Sequence, residues 1–455
     1  MTRPRIAVVL AAGRGTRMRS SLAKPLHQVA SRPMLAWVLD AARAAGCERL
    51  LIVVGHDADA IREQFADATD ITWVEQTEQL GTGHALAQAE RHVDGDALLL
   101  VLSGDVPLLR PSTLDALATA ADAAWGAMAV AELDDPGRYG RVLDAGGGRL
   151  DRIVEAADAS PEELAVRHIN AGIYALPAPS IFDHLRRLDN DNAKGEYYLT
   201  DALGAAAQEG VALVGLDDIS EAFGVNTRRD LAQAAQALNR RTLDRLMDEG
   251  VTILAPERTT VEPHVRVGND TVLHPDVNLR GDTVIGSGCE IHQGVWMQDT
   301  TLADDVLVKP YSILDHATVG EASIVGPFAR LRPGTVLEEG VHIGNFVELK
   351  KTTMAPGAKA NHLTYLGDAS IGAATNVGAG VVTCNYDGER KHRTEIGAGA
   401  FIGSDTMLVA PVRVGDGATT GAGSTINQDV PDGALGVGRA RQRNVEGWRE
   451  RKKTT

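Results

Sequence analysis

Aliphatic residues recur at every sixth position through most of the C-terminal half, and this spacing limits the possible fold more than any other feature. The series runs without exception from Val261 to Met297, resumes from Ile313 to Leu349, and returns from Ile396 to Val414. Glycine often follows the aliphatic residue. Such hexapeptide repeats are typical of a parallel β-helix, in which each unit supplies a short strand and a turn and its aliphatic side chain points inward.

The repeat is interrupted near 298–306, 350–370 and 383–395, and we expect loops to leave the coil there. If the C-terminal half carries no catalytic or binding site, it is a passive scaffold or a trimerisation rod. Polar residues at the interruptions are therefore the first candidates for function.

The N-terminal half has a different organisation. Short apolar runs at 5–10, 49–55, 71–76 and 97–105 alternate with helix-like stretches such as 33–46 and 81–93. Continuous apolar strands that alternate with helices predict a mostly parallel, Rossmann-like α/β sheet, which binds ligands beyond the carboxyl ends of its strands.

One long helix is predicted between the halves. Thr227 and Asp230 form a capping-box pattern, Leu231, Ala235 and Leu238 recur at helical spacing, and Gly250 is placed to end the helix. The predicted division is therefore a nucleotide-binding domain over 1–226, a linker helix over 227–249 and the β-helix domain over 250–455.

The turn after the first strand, LAAGRGTRM at 10–18, contains two glycines and several cations. It lacks the third glycine of a dinucleotide fingerprint and the GK[ST] of a Walker loop. Arg14, Arg17, Arg19 and Lys24 nevertheless allow the backbone amides and cations to hold a triphosphate, although a solvated basic loop is the plain alternative.

A second apolar strand ends in Ser103-Gly104-Asp105, so that a carboxylate stands at the carboxyl end of the sheet. Beside phosphate-binding cations it suits a Mg²⁺ ligand, because Mg²⁺ takes one or two protein oxygens together with phosphates and water. The alternative is an ordinary loop aspartate before Pro107.

Charge and composition exclude several classes of protein. A formal net charge of −16 and only 4% aromatic residues disfavour nucleic-acid and anionic-membrane partners. Cys47, Cys289 and Cys384 are far apart and form no CxxC, which argues against a disulfide framework or a zinc site and favours a reducing compartment. No signal peptide or membrane-spanning stretch is recognisable, so a cytoplasmic protein is expected.

The stretch 348–394 gathers polar residues where the six-residue period fails. Transfer of an acyl group to an amine needs a base that works near neutral pH and a donor for the tetrahedral oxyanion. His362 suits the role of the base, while a solvated loop histidine is the plain alternative.

Several motifs resemble those of sugar-nucleotide pyrophosphorylases in the same order: LAAGRGTRM, Lys24, QLGTGHA, SGDVPLL, YGR, NAGIY, GEYYLTD and GVNTR. With the hexapeptide half included, nearly the whole chain is similar to the bacterial bifunctional N-acetylglucosamine-1-phosphate uridylyltransferase/glucosamine-1-phosphate acetyltransferase family. The resemblance implies acetylation of glucosamine 1-phosphate by acetyl-CoA, then transfer of UMP from UTP, giving UDP-N-acetylglucosamine and pyrophosphate for envelope polysaccharides. It also implies a left-handed β-helix, Mg²⁺ as cofactor, and small molecules as the substrates.

In the first half the resemblance implies a UTP and UDP-sugar site, in which Arg17 and Lys24 hold phosphates and Asp105 and Asn226 bind the metal. The implied substrate contacts are Leu10, Ala11, Ala12, Gly13, Gln76, Gly81, Thr82, Ser103, Gly104, Gly140, Glu155, Asn170 and Asn226, with Tyr198 and Thr200 nearby. Gln76, Gly81 and Thr82 would recognise the uracil.

In the second half the resemblance implies that His362 accepts the proton and that Glu348 supports it. Arg332 and Lys350 would bind the sugar phosphate, and Tyr365 and Asn376 the sugar. The implied acetyl-CoA contacts are Ala379, Asn385, Tyr386, Ser404, Ala422 and Arg439. The acetyl site of this family is shared between the subunits of a homotrimer.

Two positions depart from the family pattern. Ala23 precedes Lys24 where proline is usual, and Pro25 follows it, so Lys24 is expected in extended geometry. Ser103 stands where tyrosine is common. Two alternatives remain open at this point: a single-function pyrophosphorylase with a regulatory β-helix, and a non-enzymatic trimeric scaffold that binds sugar nucleotide.

Overall fold

The computed structural model describes residues 3–13, 15–137, 139–192 and 195–451. The chain divides into two compact units, Met1–Leu238 and Asn239–Thr455, called here the first and second unit. The finer three-part division at 226 and 250 stays a prediction. Among the described residues no helix is both long and apolar enough to cross a membrane.

The first unit is built on a sheet that contains most of its strands. The strands are β1 (Arg5–Leu10), β2 (Gln28–Val29), β3 (Arg32–Pro33), β4 (Arg49–Val54), β5 (Ile71–Glu75), β6 (Ala97–Ser103), β7 (Gly126–Glu132), β8 (Arg141–Asp144), β9 (Leu150–Val154), β10 (His168–Ala178) and β11 (Val211–Gly215). Among the described strands of this unit, β2 and β3 lie outside the sheet and pair with each other. The four strands predicted from apolar runs, β1, β4, β5 and β6, are confirmed.

The main sheet has the order β11-β7-β10-β6-β1-β4-β5, with β8 and β9 attached at β10. Strands β5, β4, β1 and β6 are mutually parallel, whereas β10 runs antiparallel to both β6 and β7. The central strands are buried on both faces, which accounts for their continuous apolar sequence. The expected mostly parallel α/β sheet is therefore correct, with β10 and β9 as its reversed strands.

Helices cover both faces of this sheet. The helices of the first unit are α1 (Met34–Ala44), α2 (Ala58–Gln64), α3 (Thr82–Ala87), α4 (Pro111–Asp122), α5 (Pro161–Leu164), α6 (Ser180–Leu185) and α7 (Leu199–Gly210), and they are followed by α8 (Arg228–Asp248). A short helix α9 (Trp448–Arg451) lies near the C-terminus.

Helix α8 begins as its sequence predicts. The Asp230 amide donates to Thr227 Oγ1 at 3.2 Å, and the Thr227 amide donates to Asp230 Oδ2 at 2.8 Å, so the reciprocal cap is formed. This cap satisfies two of the backbone amides that a helix start otherwise leaves without partners.

The second unit is a β-helix of three parallel sheets, as the hexapeptide period predicts. Its first sheet contains Thr252–Ile253, Val272–Leu273, Glu290–Ile291, Leu307–Val308, Ile324–Val325, His342–Asn345, Lys359–His362, Asn376–Val377, Phe401–Ile402, Thr419–Thr420 and Leu435–Gly436. Its second sheet contains Thr260–Val261, Asn278–Arg280, Trp296–Gln298, Ile313–Asp315, Arg330–Leu331, Glu348–Lys350, Tyr365–Gly367, Val382–Cys384, Met407–Val409 and Thr425–Ile426. Its third sheet contains Arg266–Val267, Val284–Ile285, Thr301–Leu302, Ala317–Val319, Thr335–Leu337, Thr353–Met354, Ala369–Ile371, Thr394–Ile396 and Val412–Val414.

In most strands one aliphatic residue points inward, and together these side chains form one continuous core, while Thr383 and Thr420 take the inward position in their strands. Full burial of such a side chain contributes roughly 1.5–3 kcal/mol. The prediction fails at Ile313, which is 42% exposed, while its neighbour Leu314 is the buried residue. The expected position is off by one because the step from Leu314 to Val319 contains five residues instead of six, as does the step from Met297 to Leu302.

Two of the three predicted loops are therefore absent. The interruptions near 298–306 and 350–370 are single-residue shortenings, since Leu302, Met354 and Ile371 each come five residues after the preceding inward residue. Only the third interruption, near 383–395, is a real loop, closed by an isolated bridge between Tyr386 and Lys391. The handedness of the coil stays a prediction.

Candidate active sites

A cavity of about 270 Å³ lies in the first unit beyond the carboxyl ends of β1 and β6. Most of the residues predicted to contact the nucleotide line it, namely Leu10, Ala11, Ala12, Gly13, Lys24, Gln76, Gly81, Thr82, Ser103, Gly104 and Asp105. The site therefore sits where an open α/β sheet places its ligand.

Gln76 and the turn before α3 line one part of this cavity. Gln76 is 3% exposed, and its amide nitrogen lies 3.2 Å from the Gly81 carbonyl oxygen and 3.0 Å from His84 Nδ1. Gly81 has φ +112°, and a Cβ there would meet the backbone of Tyr197, so only glycine fits. The Gln76 amide is thus fixed in orientation before any ligand binds.

Two cations and two side-chain oxygens meet at the polar end. Lys24 Nζ pairs with Asp105 Oδ2 and donates to Asn226 Oδ1 at 2.8 Å, and Arg17 Nη2 donates to the same Asn226 oxygen at 2.7 Å. The structure brings all four of these predicted residues together although they are far apart in the sequence.

The donor set at this end fits a magnesium ion. Asp105 and Asn226 direct side-chain oxygens to one point, since both accept from the Lys24 ammonium. A carboxylate and an amide oxygen are hard ligands of the kind that Mg²⁺ accepts, with phosphate oxygens and water completing its shell.

Gly140, Glu155 and Asn170 form a second group. The Asn170 amide donates to the Gly140 carbonyl at 3.0 Å, and a Cβ at Gly140 would lie 3.5 Å from Glu155 Oε1. Thr200 Oγ1 donates to the same glutamate oxygen at 3.4 Å. None of the three lines the 270 Å³ cavity, so the structure assembles the expected sugar contacts as a neighbouring cluster.

The side chain of Asn170 is oriented by the strand that carries it. Its nitrogen donates to Tyr174 Oη at 2.8 Å, and its oxygen accepts the Gly172 amide at 2.9 Å. Burial raises the pKa of the Tyr174 hydroxyl, which therefore stays protonated.

The expectation of an extended Lys24 is wrong. Ala23 is the extended residue, with φ −52° and ψ 136°, and Lys24 opens a short 3₁₀ turn, Lys24–Leu26. Pro25 disfavours helical geometry at the residue before it, yet Lys24 lies in this turn. The turn is closed by a hydrogen bond from the Leu26 amide to the Ala23 carbonyl. Arg14, which was also expected to contact phosphate, lies outside the described residues.

In the second unit, His362 lies at the turn that joins the first and second β-helix sheets. Asn345 is its Cα partner on the preceding coil, and His362 Nδ1 lies 2.8 Å from Asn345 Oδ1. An amide oxygen only accepts, so Nδ1 carries a proton, and in the neutral ring Nε2 then carries the lone pair. This is the tautomer that a general base acting through Nε2 requires.

Among the described residues Glu348 makes no hydrogen bond to His362, and its expected supporting role stays a prediction. Its carboxylate instead binds Arg332, with Oε1 at 2.8 Å from Arg332 Nη1. The partner of the histidine is Asn345, which the sequence analysis missed.

Arg332 and Lys350 belong to a cationic cluster with a third member. Lys391, within hydrogen-bonding reach of Lys350, lowers the pKa of the Lys350 ammonium, and Arg332 lowers it further. Lys391 comes from the loop near 383–395 and was not predicted, although its basic surroundings, GERKHR, were a signal. Three cations around one point are suited to binding a phosphate group.

Tyr365 and Asn376 lie on different sheets. Tyr365 stacks on Glu348 in the second sheet, next to the cationic cluster. Asn376 stacks on Lys359 in the first sheet, and no described contact joins it to the cluster. The structure therefore brings together Arg332, Lys350 and Tyr365 but not Asn376.

The residues expected to contact acetyl-CoA continue the line of turns that begins at His362. Backbone hydrogen bonds stack these turns, with the Leu363 amide donating to Asn345, Asp405 to Ala379 and Gly423 to Ser404. Successive turns also lie close together. A Cβ atom placed on Gly403 would be 2.7 Å from the Ala422 amide nitrogen, and one placed on Gly423 would be 3.9 Å from Arg439 Cδ. Ala379, Ser404, Ala422 and Arg439 thus follow one another along a single edge.

Asn385 and Tyr386 begin the loop that leaves the coil beside this edge. Asn385 is 7% exposed, and its side-chain nitrogen donates to Asp368 Oδ2 at 2.5 Å. Tyr386 is 60% exposed and its hydroxyl donates to the Gly388 carbonyl. Asn385 is an anchor of the loop, whereas Tyr386 presents its ring to solvent.

Three family models match the chain. The MobA-like NTP transferase domain matches residues 7–206, the GMPPB C-terminal domain matches 257–364, and the bacterial transferase hexapeptide (six repeats) matches 393–428. Among solved structures, UDP-glucose pyrophosphorylase complexed with UDP-glucose matches 52% of this chain and 99% of that chain, with 19% identity and a TM-score of 0.44 that supports no argument.

Curated relatives match over almost their whole length. The chain is 49% identical to the bifunctional protein GlmU of Pelobacter propionicus over 98% of each chain, and 49% identical to that of Trichlorobacter lovleyi over 97% of each chain. It is 47% identical to the bifunctional protein GlmU of Stenotrophomonas maltophilia over 99% of each chain.

Proposed function

The chain belongs to the family of bifunctional GlmU proteins and is a bifunctional enzyme, and we propose that its second unit acetylates glucosamine 1-phosphate and its first unit uridylylates the product. The co-substrates are acetyl-CoA and UTP, and the products are UDP-N-acetylglucosamine and pyrophosphate. Relatives that are bifunctional over nearly their full length argue against a β-helix that is only regulatory and against a non-enzymatic scaffold.

In the first unit the sugar phosphate is itself the nucleophile. One of its oxygens attacks the α-phosphorus of UTP, a P–O bond forms, and the bond to the pyrophosphate oxygen breaks. No protein base is needed, so positioning and charge neutralisation carry the catalysis. The convergence of Lys24 and Arg17 on Asp105 and Asn226 is the observation that supports this assignment.

Asp105 and Asn226 are proposed to hold Mg²⁺. When bound, the ion supplies Lewis-acid stabilisation of the charge on the triphosphate. Lys24 and Arg17 neutralise the phosphates, and the fixed amide of Gln76, with Gly81 and Thr82, recognises the uracil edge. Gly140, Glu155 and Asn170, with Thr200, bind the sugar.

In the second unit His362 is proposed as the general base. Its Nε2 takes a proton from the sugar amine as the nitrogen attacks the thioester carbonyl. The C–N bond forms, the C–S bond breaks, and the imidazolium returns the proton to the departing sulfur, so that coenzyme A leaves as the thiol. Asn345 holds the tautomer in which Nε2 accepts the proton.

The cations of the second unit are proposed to hold the phosphate of glucosamine 1-phosphate. Arg332, Lys350 and Lys391 supply three positive charges, and Glu348 fixes the Arg332 guanidinium. Tyr365 stacks beside them and contacts the sugar, and the sugar contact expected of Asn376 stays a prediction. Acetyl-CoA then lies along the edge formed by Ala379, Ser404, Ala422 and Arg439, beside Asn385 and Tyr386.

A cytoplasmic homotrimer is proposed as the working form. Tyr311, Phe328, Phe346 and Leu363 are 49%, 47%, 55% and 63% exposed, and the three rings stack at centroid distances of 5.4 Å. A continuous apolar row of this kind favours burial against another copy. The three cysteines are free thiols, which suits a reducing compartment.

Single substitutions separate the two activities. Asp105→Ala is expected to abolish pyrophosphate release from UTP and N-acetylglucosamine 1-phosphate while thiol release from acetyl-CoA continues. His362→Ala is expected to lower acetyl transfer by about 10²–10⁴-fold and to spare uridylyl transfer. His316→Ala, an exposed histidine paired with Asp315 in the same unit, is the matched control. Unchanged activity of Asp105→Ala or His362→Ala contradicts the assignment.

A further inference from the structure

A cluster of metal-ligating side chains lies in the second unit, several coils before His362. His274, Glu290 and His292 each offer a ligand atom, and these atoms all lie within 4.8 Å of one another. Neither the proposed chemistry nor the family resemblance uses these residues.

The register of the β-helix brings the three side chains together. Leu273 and Ile291 are inward Cα partners on consecutive coils of the first sheet, so the residues that follow them, His274 and His292, lie one above the other outside the core. Their rings stack with centroids 4.5 Å apart. Glu290 and His292 flank Ile291, so both side chains lie on the outer face of one strand.

Both imidazoles direct the same ring nitrogen at one carboxylate oxygen. Glu290 Oε1 lies 3.2 Å from His274 Nε2 and 3.0 Å from His292 Nε2. Two ligands of a tetrahedral zinc ion, each bound at about 2.0–2.1 Å, lie about 3.3 Å apart. Each nitrogen is therefore spaced from the carboxylate oxygen as a second ligand of one ion would be, and all three atoms lie within 4.8 Å of one another.

His292 supplies an independent observation. Its Nε2 atom is buried and has no hydrogen-bond partner, because its approach to Glu290 lacks hydrogen-bond geometry. A buried ring nitrogen without a partner loses the interaction that it would make with water, and a bound cation would satisfy it. His274 by contrast has hydrogen-bond geometry to Glu290.

We propose that His274, Glu290 and His292 bind one Zn²⁺ ion and so tie two coils of the β-helix together. Two imidazoles and one carboxylate form a ligand set that zinc accepts, with water at the fourth position, whereas Mg²⁺ and Ca²⁺ prefer oxygen ligands alone. The scarcity of cysteines excludes only thiolate sites. Glu290 stays half-exposed, which leaves a route for the ion.

The surrounding charges permit an ion at this point. Lys309 occupies the position next to His292 on the following coil. Its charge acts on His342, because the pKa of His342 is lowered first by burial and then by Lys309. Among the described residues no ion pair joins Lys309 to Glu290. The carboxylate therefore remains available to a metal.

The test is a metal-binding measurement on the full chain without a polyhistidine tag. Protein freed of metal with a chelator is titrated with Zn²⁺ at pH 7.5 by calorimetry, and Co²⁺ is added separately to record visible absorption. The proposal predicts that the wild-type chain binds one zinc ion. His274→Gln and His292→Gln should each weaken zinc binding by about tenfold or more and remove the visible absorption bands of tetrahedral Co²⁺. Binding weakens below about pH 6, where imidazoles protonate.

A second histidine of the same unit is the matched control. His316 also contacts two carboxylates, but through opposite ring nitrogens, Nδ1 to Asp315 at 2.6 Å and Nε2 to Asp299 at 3.3 Å, which cannot converge on one ion. His316→Gln is expected to keep the zinc ion. The proposal is overturned if the wild-type chain binds no zinc, if His274→Gln and His292→Gln bind as tightly as wild type, or if His316→Gln lowers binding equally. Circular dichroism checks that each variant is folded.

Discussion

Replacement of Leu349 by alanine should destabilise the β-helix severely without removing any polar contact. Leu349 is fully buried, and its Cα partners on the adjacent coils, Leu331 and Leu366, are fully buried too. A buried Leu→Ala change costs about 2.7–5 kcal/mol, and stacked neighbours held by backbone hydrogen bonds restrict collapse of the cavity. At about 2–4 °C per kcal/mol for a unit of this size, a cost of about 3–4 kcal/mol lowers the Tm by about 6–16 °C.

The assay is thermal unfolding of the full chain followed by circular dichroism, with the β-helix transition identified by loss of acetyl transfer. Leu254→Ala is the matched control, since Leu254 is 55% exposed in the same unit and its replacement should cost no more than about 0.5 kcal/mol. If Leu349→Ala shifts the transition no more than Leu254→Ala does, the inward stack is not what stabilises the coil.

Two further predictions concern a buried histidine and a glycine beside the acetyl site. Burial, and then the charge of Arg228, lower the pKa of His27 below 6.5, so the unfolded chain takes up a proton that the folded chain does not. The free energy of unfolding of the first unit should therefore fall as the pH drops below about 6.5. Urea midpoints measured at pH 5.5 and 7.5 should differ less for His27→Gln than for the wild type, and an equal difference would contradict this prediction. Gly367→Ala would place a Cβ against Tyr365 Oη and against the side-chain nitrogen of Asn385, which anchors the loop, so acetyl transfer should fall about tenfold or more, and full activity would contradict this.

The fold was largely predictable because its signals are local and repeated. The period of six predicted the β-helix, and Thr227 and Asp230 predicted the start of α8, which the reciprocal hydrogen bonds confirm. Apolar runs predicted β1, β4, β5 and β6. They could not predict that β10 runs antiparallel, since the direction of a strand depends on tertiary connections.

The contacts of His362 show where the sequence was insufficient. A regular coil of three hexapeptides would place its neighbour eighteen positions earlier, at Gly344. The five-residue step at Met354 shortens this coil, so Asn345, seventeen residues earlier, lies against the histidine instead. Another five-residue step explains why Leu314, and not Ile313, lies in the core. Lys391 was missed because it reaches the cationic cluster from a loop outside the repeat.

The central claim is that two independent sites act in sequence, and a mixing experiment tests it most directly. Asp105→Ala and His362→Ala are each supplied with glucosamine 1-phosphate, acetyl-CoA, UTP and Mg²⁺, and UDP-N-acetylglucosamine is measured. Each variant alone should form almost none, whereas their mixture should form it, because N-acetylglucosamine 1-phosphate made by the first diffuses to the second. A mixture that stays inactive, or a His362→Ala variant that forms product alone, would contradict the account.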